Sequence, residues 1–95
     1  MTTYLFANVT VTDPQQYEEY KRWSTQAMRE HGAQVLVRGG ETDVLEGDWV
    51  PDRVVILAFK DKASALAFYQ SETYGKAKAA RAGAAIMRMV LIEGA

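Results

Sequence analysis

The chain contains no cysteine, and this absence removes several classes of chemistry at once. Without a thiol there is no disulfide, no thiolate nucleophile and no cysteine-ligated metal centre. The single histidine, His31, precedes Gly32 where a helix is predicted to end, so we expect it to complement the helix dipole rather than to bind haem. The sequence therefore predicts neither a cofactor nor a metal site.

An excess of charge of one sign is lacking as well. The 95 residues include 11 Lys and Arg and 12 Asp and Glu, for a net charge of −1, and no basic stripe adjoins exposed aromatic residues. No segment approaches the roughly 20 apolar residues of a membrane helix, and the first four residues do not resemble a secretion signal. We therefore expect a cytoplasmic protein with no nucleic-acid or membrane partner.

What the chain has in quantity is apolar material. Of its residues 48% are hydrophobic and only 24% are charged. That is ample for the core of one domain spanning residues 1–95. It also leaves apolar side chains that another protein surface would have to cover.

The pattern of apolar residues, turns and helix caps predicts one order of elements. Residues 3–11, 33–38, 53–59 and 85–92 are predicted strands, and Gly39-Gly40 separates the second of them from an extended arm at 42–46. A helix runs from Asp13-Pro14 to His31-Gly32, a second follows Asp61, and a third spans 72–82. This β-α-β-β-α-β order, with the last helix in two pieces, predicts an α+β ferredoxin-like fold.

The first helix carries the clearest local signals. Asp13 is a good N-cap, Pro14 fits the first helical position, and Gln16 is placed to complete a capping box. One helical face is predicted to be buried, and its members are Tyr17, Tyr20, Ser24, Ala27 and Met28.

Three of the four strands are apolar on both faces. In the first strand Leu5, Ala7 and Val9 point one way, whereas Tyr4 and Phe6 point the other. The helices can cover only one face of a four-stranded sheet, so the second face needs another protein surface. The simplest solution is a homodimer in which two sheets face each other, and the alternative is a monomer with an open apolar face.

The combined pattern of residues closely resembles the bacterial family called domain of unknown function 1330. The residues that carry the resemblance are Asp13-Pro14, Tyr17, Tyr20, Arg38-Gly39-Gly40, Leu45-Glu46-Gly47-Asp48-Trp49, Pro51, Arg53, Phe59, Ala65, Tyr69, Ser71, Tyr74, Arg81 and Glu93-Gly94. The resemblance implies a dimeric α/β barrel, in which two ferredoxin-like protomers pack their sheets together and each half has a cavity. Phe68 and Ala58 depart from the family pattern, which often has tryptophan and an acidic residue there.

The wider superfamily implied by this resemblance includes cofactor-free monooxygenases, muconolactone isomerase-like proteins and haem-dependent enzymes. Such likeness is one of fold, and a fold does not determine a reaction. The candidate functional residues must therefore be argued one by one.

Two arginines and a glutamate surround the predicted turn after the second strand. Arg38 either holds a ligand carboxylate in its fork or pairs with Glu46. Glu46 is the one weak candidate for a general base, and the alternative is an ion pair with Arg53 that clamps the loop. Trp49 either caps the cavity mouth or packs at the dimer edge.

Arg53 and several other polar side chains are also candidates for ligand binding. Asn8 is the one amide in an otherwise apolar part of its strand, so it either satisfies a neighbouring strand or lines a cavity. Tyr69, Tyr74 and Arg81 lie around the break between the last two helices. Such a break often borders a pocket, although capping by Ser71 also explains it.

Two functions follow as hypotheses. In the first, a homodimer binds a small organic, anionic molecule in its cavity and carries out a cofactor-independent step on it, with Arg38 orienting the ligand and Asn8 and Tyr69 hydrogen-bonding it. The alternative is a non-catalytic structural or stress-associated dimer whose cavity is filled by Phe6, Met87 and Met89. An open cavity with convergent polar groups favours the first hypothesis.

Overall fold

A computed structural model describes all of residues 1–95 and has the predicted order of elements. They are β1 (Thr3–Val11), α1 (Pro14–Glu30), β2 (Gln34–Arg38), β3 (Arg53–Phe59), α2 (Lys62–Tyr69), α3 (Glu72–Ala80) and β4 (Ala85–Glu93). The four strands form one antiparallel sheet in the order β2-β3-β1-β4, and the fold is α+β and ferredoxin-like. No helix of the structure is both long enough and apolar enough to traverse a lipid bilayer.

The register of the sheet decides which side chains face the helices. Leu5 of β1 lies opposite Leu57 of β3 on one side and Leu91 of β4 on the other, so the three share a face. Leu5 and Leu57 are almost completely buried under the helices. On β2 the register shifts between Val35 and Val37, which marks a bulge close to the end of that strand.

Helix α1 begins as predicted, but its capping box does not form. The Asp13 carboxylate accepts a hydrogen bond from the Gln16 backbone N–H at 3.1 Å, and Pro14 occupies the first turn. The Gln16 side chain does not reach back to Asp13. Instead its amide donates to the carbonyls of Ala80 and Ala82, at 2.9 and 2.7 Å, and so joins the start of α1 to the end of α3.

The predicted buried face of α1 is confirmed, and the two short helices are capped as expected. The buried residues of α1 are Tyr17, Tyr20, Ser24, Ala27 and Met28. Asp61 accepts from Ser64 N–H at 2.8 Å. Ser71 accepts from Tyr74 N–H at 3.1 Å and donates to the Phe68 carbonyl at 2.7 Å, which links α2 to α3.

The second face of the sheet has no helix over it and is largely apolar. On β4, Ile86, Val90 and Ile92 are each 50–57% exposed. A groove on this face is lined by Tyr4, Phe6, Leu36, Val37, Ile56 and Ile92. We call this surface the open face.

Residues 39–52 form an exposed arm rather than a continuation of β2. The predicted extension at 42–46 pairs with no strand, and the Leu45 side chain is 94% exposed. The arm returns over the open face, where the Trp49 ring lies 6.4 Å from the Phe6 ring. Trp49 therefore packs on the open face and does not line the cavity under the helices.

Candidate functional site

A small cavity of about 30 Å³ lies between the helices and the sheet. Its apolar wall comes mainly from the strands, with Leu5, Ala7, Val9, Val55, Leu57, Met87 and Met89, and from Met28 and Phe68 of the helices. Polar side chains converge on the remaining wall, and these are Tyr17, Tyr20, Lys21, Ser24, Arg38, Arg53 and Tyr74. Neither a carboxylate nor a histidine is among the lining residues.

A hydrogen-bonded cluster joins α1 to α3 at one side of this cavity. The hydroxyls of Tyr20 and Tyr74 are 2.8 Å apart, and both residues are buried. The Arg81 guanidinium donates to the Tyr74 hydroxyl at 3.0 Å and to the Met87 sulfur at 3.1 Å. Tyr17 stacks on Tyr20 with ring centroids 5.1 Å apart. The cluster gives the cavity a wall of hydroxyl groups held in fixed positions.

The three tyrosines of this wall are neutral hydrogen-bonding groups. Burial raises the pKa of Tyr20 far above its ordinary value, and the neighbouring Tyr74 raises it further. Burial also raises the pKa of Tyr74, against the opposing effects of the Tyr20 hydrogen bond and the Arg81 charge. For Tyr17 burial again raises the pKa, and Arg53 opposes it. They can donate protons in hydrogen bonds, but they are not phenolate bases.

Arg53 enters the cavity from the first position of β3, beneath Gly39. A Cβ at Gly39 would lie 2.7 Å from the Arg53 Cζ, so a larger residue there would displace the guanidinium. Gly39 also has a φ of +72°, a conformation that other residues rarely adopt. Arg53 forms no ion pair, and its Nε is buried without a hydrogen-bond partner. The site therefore holds a cation with unused donor capacity.

Arg38 lies at the mouth of the same cavity, and its predicted ion pair with Glu46 is absent. Its guanidinium donates to the Thr25 hydroxyl of α1 at 2.9 Å. Glu46 is exposed in the arm and lines neither the cavity nor the groove on the open face. The alternative pair between Glu46 and Arg53 is absent too, because the two ion pairs of the structure lie within α1. Glu46 therefore pairs with neither arginine.

Asn8 lies on the opposite face of the sheet from both arginines. Its side-chain oxygen accepts a hydrogen bond from the Asp52 backbone N–H at 3.0 Å, and Asp52 in turn accepts from Thr10 at 2.6 Å. A separate pocket of about 260 Å³ on the open face is lined by Asn8, Thr10, Trp49, Val50, Asp52, Ile86 and Arg88. Asn8 therefore anchors the end of the arm and cannot share a ligand with Arg38.

Tyr69 lies outside the small cavity but touches its wall. Its ring is 5.5 Å from that of Tyr74, and the Lys78 ammonium lies 4.3 Å from the Tyr69 ring. The side chain is 38% exposed and helps to line a second, wholly apolar pocket of about 160 Å³. Of the predicted ligand-binding residues, the structure thus brings together Arg38, Arg53, Tyr74 and Arg81.

Outside the cavity mouth, α1 presents a concave basic surface. It is lined by Glu18, Lys21, Arg22, Thr25, Gln26, Arg29 and Arg38. Glu18 pairs with Lys21 at 2.9 Å, and Glu19 pairs with Arg22. Neither Arg29 nor Arg38 has a carboxylate partner. Lys21 and Arg38 also line the cavity, so this surface, which we call the vestibule, adjoins it.

Sequence reasoning missed part of this wall. Tyr17, Tyr20 and Ser24 were predicted only as a buried helical face, and the role of Gly39 as the space for Arg53 was not foreseen. One signal was available: three hydroxyl groups on a single buried helical face all require partners. The cavity as built can bind an anion and donate hydrogen bonds to it.

Solved structures share this fold at low sequence identity. A protein of unknown function from Rhodopseudomonas palustris is 20% identical, with a TM-score of 0.76, over 99% of this chain and 82% of its own. A dimeric ferredoxin-like protein of unknown function from Jannaschia sp. CCS1 is 14% identical, with a TM-score of 0.71, over 99% and 100%. SnoaB, a cofactor-independent oxygenase from Streptomyces nogalater, is 11% identical, with a TM-score of 0.66, over 99% and 93%.

At these identities the likeness establishes the fold and not a reaction. No curated protein matches the chain. The model of one sequence family, described as a domain of unknown function, DUF1330, matches residues 2–95. That match spans nearly the whole chain and confirms the resemblance of its turn, arginine and helix-cap residues, so this protein belongs to the DUF1330 family.

Proposed function

We propose that this protein binds a small organic anion in the cavity between its helices and its sheet. The observation that carries the proposal is the Arg53 guanidinium, whose buried Nε has no partner and whose charge has no carboxylate near it. Leaving a buried donor unsatisfied costs about 1–3 kcal/mol. A ligand carboxylate would satisfy that donor and balance the charge in one step.

The surroundings of Arg53 favour the same kind of ligand. The vestibule adds Arg29 and Arg38, neither of them paired with a carboxylate, and adjoins the cavity. Fields of one sign in a concave surface raise the local concentration of oppositely charged ligands. Tyr17 and the Tyr20–Tyr74 pair offer neutral hydroxyls for the uncharged part of the ligand.

A cofactor-independent reaction on the bound molecule has narrower support. SnoaB is a cofactor-independent oxygenase of the same fold. In this chain the hydroxyls of Tyr17, Tyr20 and Tyr74 line the cavity and could donate to a substrate oxygen on which negative charge develops. The candidate base Glu46 lies outside the cavity, so such a step would require a substrate that ionises readily without a protein base.

We also propose that the protein is a homodimer with the open face as its interface. The groove on that face is wholly apolar, and the exposed Val90 and Ile92 of β4 adjoin it, while Arg88 separates them from the exposed Ile86. A contiguous apolar surface of this kind is uncommon on a monomer. The similar protein from Jannaschia sp. CCS1 is described as dimeric.

Thermal melts with and without small carboxylates test the binding proposal. Acetate, butanoate and benzoate should raise the melting temperature of the wild type, because binding to the folded state adds RT ln(1 + [L]/Kd) to the free energy of unfolding. Arg53→Gln should remove that rise. Gln15→Asp, which changes one charge on the exposed surface of α1, should leave the rise in place.

The melts also separate this proposal from the alternative of a non-catalytic dimer with a filled core. The small volume of the cavity is the observation that favours the alternative. A wild type that no carboxylate stabilises would decide for the filled core, whereas a stabilisation that survives Arg53→Gln would show that the anion binds away from Arg53.

A further inference from the structure

Two chambers lie side by side, one between the helices and the sheet and the other open to solvent at the edge of β4. The first is the small cavity with Arg53 and the hydroxyl wall. The second is the apolar pocket of about 160 Å³ near the edge of β4, lined by Leu5, Leu66, Tyr69, Met89, Val90 and Leu91. Leu5 and Met89 line both chambers, so these two side chains lie where the chambers adjoin.

The sheet register aligns the vestibule and the apolar chamber along one row of residues. Arg38 lies opposite Val55, Val55 opposite Ala7, and Ala7 opposite Met89, so these four residues form a row across all four strands. Strands lie 4.7–4.9 Å apart, so the row spans about 14 Å from the first strand to the last. The vestibule opens at its Arg38 end, and the apolar chamber lies at its Met89 end.

Ala7 and Met89 are the residues of this row that a molecule reaching from one chamber to the other would contact. Ala7 is the smallest side chain of the row and is almost completely buried beneath the helices. Met89 is only partly buried and packs against the core from β4. Methionine has three rotatable bonds and an unbranched side chain, so it can move aside at little cost. Met89 is thus suited to be a gate between the chambers.

We propose that the ligand is an elongated carboxylate whose charged end lies between Arg38 and Arg53 and whose apolar tail passes Met89 into the second chamber. This inference rests on the proposed function and names its ligand class. The apolar chamber has no polar side chain except the Tyr69 hydroxyl, which suits a hydrocarbon or aromatic tail. The fork geometry of arginine suits a carboxylate head.

A titration series of straight-chain carboxylates tests the proposal by calorimetry. Acetate, butanoate, hexanoate, octanoate and decanoate should bind with increasing affinity, by up to about fourfold for each fully buried methylene. The matching alcohols should bind much more weakly, since they lack the charge for Arg53. Met89→Ala should strengthen the long carboxylates more than acetate, since it widens the passage.

Leu66→Glu provides the sharper test, because it places a carboxylate in the tail chamber. Leu66 is 37% exposed, so the variant should fold. It should abolish the increase in affinity from butanoate to decanoate while leaving the affinity for acetate unchanged. Leu45→Glu is the matched control, since the same change at a side chain that is 94% exposed in the arm should leave the whole series unchanged.

The outcomes separate this inference from the function on which it rests. Binding of acetate and butanoate that depends on Arg53 but does not increase with chain length would overturn the two-chamber ligand and keep the anion site. A length dependence that persists in Leu66→Glu, or that alcohols share equally, would also overturn it. If no carboxylate binds the wild type, the proposed function itself fails.

Discussion

Gly39 leaves the space that the Arg53 guanidinium occupies. Gly39 directly follows β2 and Arg53 begins β3, and a methyl group on Gly39 would collide with the Arg53 side chain, with the guanidinium carbon 2.7 Å away. Gly39 also has a φ of +72°, which other residues rarely adopt. The position of Arg53 is therefore sensitive to a substitution at the start of the arm.

Gly39→Ala should therefore destabilise the protein and weaken carboxylate binding together. The alanine would have to adopt a φ near +72°, which costs about 1–2 kcal/mol, and would displace Arg53 in addition. Gly47→Ala is the matched control, because Gly47 has a φ of +88° and nothing within 4 Å of its Cβ position. In chemical denaturation the control should be less stable than the wild type, but carboxylates should stabilise it as much as they stabilise the wild type. Equal effects of both variants on binding would refute the contact.

Arg38 and Glu46 should behave as independent residues. Arg38 bonds to Thr25 at the surface, so Arg38→Ala should cost less than about 1 kcal/mol of unfolding free energy. Glu46→Gln should be nearly neutral, and the double variant should show the sum of the two effects. The measurement is a double-mutant cycle in urea. A coupling energy above about 1 kcal/mol would indicate the ion pair that the structure lacks.

The two hydroxyls of the buried tyrosine pair should contribute unequally. Tyr74→Phe removes the acceptor of Arg81 and the partner of Tyr20, whereas Tyr20→Phe leaves Tyr74 bonded to Arg81. We expect Tyr20→Phe to cost about 0.5–1.5 kcal/mol of unfolding free energy. Tyr74→Phe should cost more, because it removes a hydrogen-bond partner from both the Tyr20 hydroxyl and the Arg81 guanidinium. Denaturation of both variants, with Tyr69→Phe as a half-exposed control, checks the order. The reverse order would contradict the assigned network.

Stability should fall in alkali because of the same tyrosines. The pKa values of Tyr17, Tyr20 and Tyr74 are raised in the folded protein, so the unfolded chain loses their protons first as pH rises through about 10. The folded state then binds more protons than the unfolded state, and each such group lowers stability by up to about 1.4 kcal/mol per pH unit. Below pH 9 they should contribute no pH dependence. The Tyr20→Phe variant should show a shallower fall between pH 10 and 12 than the wild type.

The open face should hold two copies together in solution. Light scattering after size exclusion should give a mass of about twice 10.6 kDa. Val90→Asp places a charge on the open face, where the side chain is 54% exposed, and should shift the mass towards one chain. Gln15→Asp, with a similar change of charge on α1, should stay dimeric. A wild-type mass near one chain at micromolar concentration would refute the dimer.

Much of the fold followed from local sequence signals. Asp13, Asp61 and Ser71 cap helices in the structure as their positions predicted, and the 3.6-residue spacing identified the buried face of α1. Alternation within the strands identified which side chains share a face. These signals act over a few residues, so a single sequence is enough to find them.

The site could be predicted only in part, because its contacts join distant segments. The sequence placed Arg38 near Glu46, but the arm leads Glu46 away and Thr25 of α1 receives Arg38 instead. Gln16 likewise bonds to the end of α3, although a local capping box was available to it. Such choices depend on how helices and loops pack, and no local pattern fixes them.

Asn8 shows a different kind of error. The strand alternation already placed it on the face opposite Leu5 and Ala7, but it was still grouped with Arg38 as a ligand contact. The register resolves the matter, since Asn8 lies opposite Val54 on the open face while Arg53 lies opposite Val9 under the helices. Which face holds the cavity depends on how the helices pack against the assembled sheet.

The central claim is that an organic anion occupies the cavity beside Arg53, and a crystal structure of protein purified from cells without added carboxylate tests it most directly. The claim predicts density for a bound molecule between α1 and the sheet, with an anionic group against the Arg53 guanidinium and an apolar part directed towards Met89. Water alone in that cavity would contradict it, and so would a molecule bound instead on the open face beside Asn8 and Asp52.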